Sequence, residues 1–150
     1  MTTQIEPIRP KEAEAERTRA VVAVLTQRTP KEAVRYRQGP GGRTVAYVEG
    51  AWVIRQLNLA FGWDWDFEVK DRQVITGPDG RPQEVVVLGQ LTCRLPDGRV
   101  VVKEDFGSEA FKVGVQAGDV FKSAATDALK RCARALGIAL DLYEQSQAVR

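Results

Sequence analysis

The sequence predicts an α+β domain in which helices pack on one face of a three-stranded antiparallel β-meander. Three observations predict it. Apolar residues recur at helical spacing both before and after the middle of the chain. Between Trp65 and Phe106 the period changes to two, and the turn sequences "TGPDGRPQ" and "PDGR" cut that stretch into three strands. The resulting order is helix, helical turn, strand, helix, meander, helix, which groups the strands together and leaves the helices to cover them.

The elements follow in turn. Residues 1–11 read as a flexible N-terminal arm, 12–143 as a single domain and 144–150 as a C-terminal tail. "EAEAERTRAVVAVLTQ", Glu12 to Gln27, is a helix, charged at its start and apolar through Val21, Val22, Val24 and Leu25. In "TPKEAVRYRQ", Thr29 suits an N-cap, Pro30 the first helical position and Glu32 a weak capping box, so a helical turn is expected. "GPGGR", Gly39 to Arg43, is a loop without the Gly-Lys-Ser/Thr ending of a phosphate-binding loop. A short strand leads into a helix from Gly50 to Phe61, with Val53, Ile54, Leu57, Ala60 and Phe61 on one face. Trp52 and Leu59 form a second apolar stripe that a lone domain does not need, which suggests burial against something else.

In "DWDFEVK", Trp65, Phe67 and Val69 face one way and Asp64, Asp66, Glu68 and Lys70 the other. "EVVVLGQLTCRL" and "VVVKEDF" complete the meander. "GSEAFKVGVQAGD" reads as a loop, with Asp119 as the cap of the final helix, "FKSAATDALKRCARALG".

Composition narrows the chemistry. At 150 residues the chain can bury a core without staples, and no apolar run reaches the roughly 18–20 residues of a membrane span. The polar N-terminus lacks an apolar signal core, and Cys93 and Cys132 sit in apolar segments, so a cytoplasmic protein with reduced thiols is expected. There is no histidine, which argues against a zinc site and against imidazole acid–base chemistry. No metal and no cofactor is expected. The 22 Lys and Arg exceed the 20 Asp and Glu by only two, so any basic surface must come from local clustering.

The final helix has such a cluster. Phe121, Ala124, Ala125, Ala128, Leu129, Cys132, Ala133 and Leu136 gather on one half, while Lys122, Thr126, Lys130 and Arg134 run along the other, flanked by Asp127 and Arg131. A solvated helix face usually interleaves signs at i, i+4, whereas this stripe is nearly all positive. Arg35, Arg37, Arg43 and Lys112 add to it from neighbouring segments. Cations at such spacing repel, and a phosphate backbone would neutralise them. Trp52 and Trp63 are candidates for contacting bases or a neighbouring subunit, since single strands are commonly held by cation tracks and stacking platforms.

At these residues the chain resembles the Rad52/Rad22 family of single-strand annealing proteins. "YVEGAWVIRQLNLAFGWDW" is similar to that family's Tyr-(Ile/Val)-Glu-Gly…Val-Ile…Asn…Phe-Gly…Trp signature. "KSAATDALKRCARALGIAL" is similar to its Ala-x-Thr-Asp-x-Leu-Lys-Arg-Ala-x-Arg helix, and "EDFG" also fits. The second motif is shared by the bacterial DNA-damage-response protein A branch and by phage annealing proteins. The resemblance implies an oligomeric ring that holds single-stranded DNA in a basic groove and anneals complementary strands without ATP, in double-strand break repair. Lys130, Arg131 and Arg134 then contact phosphates, helped by Lys122, Arg35, Arg37 and Lys112. The family often has a basic residue where Trp52 stands, and Arg55, one turn on, is the candidate substitute. Partners implied are single-stranded DNA, further copies of the chain and a single-strand-binding protein. Eukaryotic members carry a long C-terminal region that binds a recombinase, so the expectation here is an annealing core without it.

Three other readings remain. Protection of 3′ single-stranded ends needs the same groove without annealing. A metal-dependent nuclease is suggested by Glu68-Val69-Lys70 with Asp64 and Asp66 upstream. A protein-interaction module would bring its basic helix to an acidic partner.

Overall fold

The computed structural model describes residues 10–148, so most of the arm expected over 1–11 lies outside the described residues. Helix α1 (Pro10–Leu25) is followed by a 3₁₀ turn (Lys31–Ala33) and a hairpin of β1 (Arg35–Gln38) and β2 (Thr44–Tyr47). Helix α2 (Gly50–Phe61) leads into the meander β3 (Trp65–Thr76), β4 (Pro82–Arg94) and β5 (Val100–Ala110). Helices α3 (Ala117–Arg134) and α4 (Leu140–Ala148) close the chain. The expected α+β class and antiparallel order β3-β4-β5 are present. None of the described helices is long and apolar enough to cross a membrane.

Strict alternation on β4 makes one side of the sheet apolar. Val85, Val87, Leu91 and Cys93 are buried beneath α3, which answers with Val120, Ala124, Ala128, Leu129, Cys132 and Ala133. The alanines permit a close approach, and Gly107 on β5 completes it. A Cβ on that glycine would lie 2.7 Å from the Cα of Ala128, so helix and strand touch backbone to backbone there. Leu57 and Val53 of α2 and Val21 and Leu25 of α1 extend the core. Each fully buried Leu, such as Leu57 or Leu91, contributes about 1.5–3 kcal/mol.

Several local expectations are corrected. "TPKEAVRYRQ" keeps its helical turn only over Lys31–Ala33, because Arg35–Gln38 pairs with Thr44–Tyr47. Thr29 caps nothing there; Pro30 precedes the turn, and the Thr29 Oγ1 donates to Asp141 at 2.6 Å. Asp119 sits within the first turn of α3, and Gln116 occupies the cap position. β5 extends through Ala110, so "GSEA" is strand rather than loop. α4 runs across residue 144, where a tail was expected to begin.

On α2, Ile54 is 40% exposed, while Gln56 is buried and bonded by Gln27 at 2.6 Å. A register shift between Val69 and Asp71 ends the inward alternation of β3, leaving Val69 exposed. Gly137, at φ 117, carries the chain between α3 and α4. A Cβ there would meet the Leu25 carbonyl oxygen at 2.8 Å, so α1 leaves no room for a side chain.

Candidate nucleic-acid interface

The hairpin, α3 and α4 enclose a groove whose polar lining is mostly cationic. Register pairs Arg37 with Val45, and alternation puts Tyr47 on the same face, toward α3. From α3 come Lys130, Arg131 and Arg134, within one helical turn plus a residue. From α4 comes Tyr143, and the groove continues past Arg134 and Arg37 to Gly39 and Pro40 of the hairpin turn.

Aromatic rings hold these cations together. The Tyr47 ring lies 5.3 Å from the Lys130 ammonium and 5.4 Å from the Arg37 guanidinium. The Arg134 guanidinium stacks 3.9 Å over the Tyr143 ring. Each such contact is worth about 0.5–2 kcal/mol, which offsets part of the repulsion between neighbouring positive charges. Among the described residues Asp127 is the one acid lining the groove, and its Oδ2 accepts from Arg131 Nε at 3.1 Å. The Lys130 ammonium is pushed below the ordinary lysine pKa chiefly by burial, with Arg37 and Arg131 adding to the shift and Asp127 and Glu49 opposing it. An ammonium in that position gains from an incoming anion, which replaces the lost solvation.

Helix α4 is held in place as a wall. Asp141, in its first turn, accepts the backbone N–H of Thr29 at 3.0 Å and the Thr29 hydroxyl at 2.6 Å. That clamp joins residues 112 positions apart and fixes Tyr143 beside Arg134.

The predicted residues divide among several places. Lys130, Arg131, Arg134 and Arg37 share the groove. Arg35 does not: it lines a separate groove with Arg55, Trp52, Glu32 and Glu49. Its Nε lies 3.9 Å from Glu49, and its Nη1 donates to the Glu32 carbonyl at 2.7 Å. Trp52 is half-buried and packs against the core as well as rimming that second groove. Lys122 lies exposed two turns before Lys130, about 12 Å along the axis. Lys112 is exposed and pairs with Glu109 at 3.7 Å. Trp63 is 95% exposed in the turn before β3, outside both grooves.

The acids Asp64, Asp66 and Glu68 are engaged by cations. Arg94 takes both Asp64, at 3.2 Å, and Asp66, at 2.9 Å, while Lys70 pairs with Glu68 at 3.9 Å. Among the described residues no group of three or more His, Cys, Asp or Glu is placed to hold a metal ion. The thiols are buried, with Cys93 pushed up to about 12 chiefly by burial, so neither is a ready nucleophile.

Tyr143 and the Thr29–Asp141 clamp escaped sequence reading. Tyr47 had a signal, as the first residue of the "YVEG" motif beside an Arg-rich segment. Tyr143 and Asp141 had none, because their partners are brought to them by the reversal at Gly137.

Comparison with known proteins matches the chain to one family. The chain matches the family described as Rad52/22 family double-strand break repair protein over residues 17–150. It is 33% identical over 128 residues to the DNA repair and recombination protein RAD52 of Candida glabrata, covering 81% of this chain and 25% of that protein. The RAD52 of Eremothecium gossypii is 32% identical over 132 residues, covering 83% of this chain and 30% of the relative. The RAD52 of Kluyveromyces lactis is 33% identical over 130 residues, 81% of this chain and 29% of the relative. The chain therefore spans less than a third of the length of these relatives. Matched over most of its length, the chain belongs to the Rad52/22 family of double-strand break repair proteins.

Proposed function

We propose that this domain binds single-stranded DNA along the groove and anneals complementary strands, without ATP and without covalent catalysis. One observation carries the reading: Arg37, Lys130, Arg131 and Arg134, from two elements far apart in sequence, line one open groove in which Asp127 is the single acid among the described residues. Four cations that neutralise phosphates release counterions, so the affinity of each protomer should fall with salt with a logarithmic slope of about −3, taking roughly 0.7 per phosphate. Gripping the backbone leaves bases free to test a second strand, and Watson–Crick pairing then supplies the specificity.

Self-association extends the groove. The sheet face away from α3 exposes Val100, Val102 and Phe106, and Leu59 on α2 is 69% exposed. Apolar surface of this kind favours burial against another copy. A closed ring of copies joins the separate grooves into one continuous track, so a modest local charge becomes a long polyanion site.

The test is Lys130→Ala with Arg131→Ala in one chain. Two lost charge-assisted contacts should weaken oligonucleotide binding by roughly a hundredfold or more and abolish annealing of complementary strands. A folded double variant that binds and anneals like the parent removes the proposal. A parent that binds but never anneals assigns the groove to protection of 3′ ends instead.

A further inference from the structure

Asp127 is an acid in a groove lined by cations, beside Lys130 and Arg131. Charge alone would make the groove a better polyanion site without it. Its contacts supply the reason for its presence. Asp127 Oδ2 accepts from Arg131 Nε at 3.1 Å and from the Ser108 backbone N–H at 3.0 Å. Ser108 belongs to β5 and adjoins Gly107, where α3 and the strand meet backbone to backbone. The carboxylate is thus anchored to the sheet as well as to its own helix. A simple i, i+4 pair on an exposed helix has no such second tether. Arg131 is engaged through Nε, and among the described residues no hydrogen bond occupies its terminal nitrogens.

We infer that Asp127 is a positioning residue for the bound strand: tethered by the Ser108 amide, it holds Arg131 by Nε and leaves the two terminal guanidinium nitrogens to fork onto a phosphate. This rests on the groove being the single-strand site. A guanidinium fixed beforehand loses less freedom on binding, and its planar fork matches two phosphate oxygens. The held geometry outweighs the repulsion between the carboxylate and the strand.

The experiment compares the full chain with Asp127→Ala and Asp127→Asn, each with and without Arg131→Ala, binding a labelled oligothymidine over a salt series. Asp127→Ala should bind about three- to tenfold more weakly, although it makes the protein more positive. Asp127→Asn keeps an acceptor oxygen and should fall between that variant and the parent. In the Arg131→Ala background, Asp127→Ala should add little, since the two residues act as one unit. Affinity equal to or above the parent in both Asp127 variants, or a loss that persists undiminished without Arg131, overturns the inference while leaving the groove's role intact. A parent that ignores the oligonucleotide overturns the groove reading and this inference together. Should Asp127→Ala fail to fold, Asp127→Asn carries the same comparison, and binding as tight as the parent's overturns it.

Discussion

Arg35 and Arg37 stand two residues apart on β1 and alternate onto the same face, yet they serve different grooves. Arg37 meets Tyr47 and, beyond it, Lys130, in a groove with four cations and one acid. Arg35 meets Glu49 and shares its groove with Arg55 and Glu32, two positive charges against two negative ones. The first is poised for an anion and the second already balances itself. Basic residues close in sequence therefore need not belong to one site; what matters is which acids the neighbouring elements bring.

That contrast can be broken or sharpened by experiment. The largest effect within it is expected at Arg37. Replacing it with Ala should cost about tenfold in affinity for single-stranded DNA and reduce the salt slope by about 0.7, read by fluorescence anisotropy. An equal loss from Arg35→Ala would erase the distinction between the grooves.

A middling effect is expected from pH. Burial lowers the Lys130 pKa, so in the free protein it loses its proton at a lower pH than an ordinary lysine. A bound phosphate favours the charged form. Affinity must then fall as pH rises through that depressed value, by at most about tenfold per pH unit for one proton. Lys130→Arg, charged throughout, should flatten the alkaline limb, and a limb that persists in this variant would assign the titration elsewhere.

The smallest effect belongs to the balanced groove. Arg55→Ala and Arg35→Ala should each change affinity by less than about twofold, because screened, partly paired surface charges contribute little. A larger loss at Arg55 would make the second groove part of the DNA path.

Much of the fold was legible because it rests on local patterns. The alternation of β4 and the Pro-Asp-Gly turns define the meander, and the alanine face of α3 announces a helix that lies close to a sheet. Gly107 explains why "EDFG" ends as it does: α3 needs its backbone there. The hairpin was harder. Its strands have four residues each, and "TPKE" imitates a helix start, so only pairing between Arg35–Gln38 and Thr44–Tyr47 decides the conformation.

For the site, the identity of Lys130, Arg131 and Arg134 as neighbours follows from helical spacing alone, since residues 130, 131 and 134 recur within little more than a turn. Which other groups join them does not. Tyr47 reaches Lys130 across 83 positions of chain and Thr29 reaches Asp141 across 112, through packing of α3 on the sheet and the reversal at Gly137. Period and charge are properties of adjacent residues and can be read in one dimension. Partnership between distant side chains arises only when buried surfaces dock, and that docking separates Arg37 from Arg35 and gives Asp127 its tether.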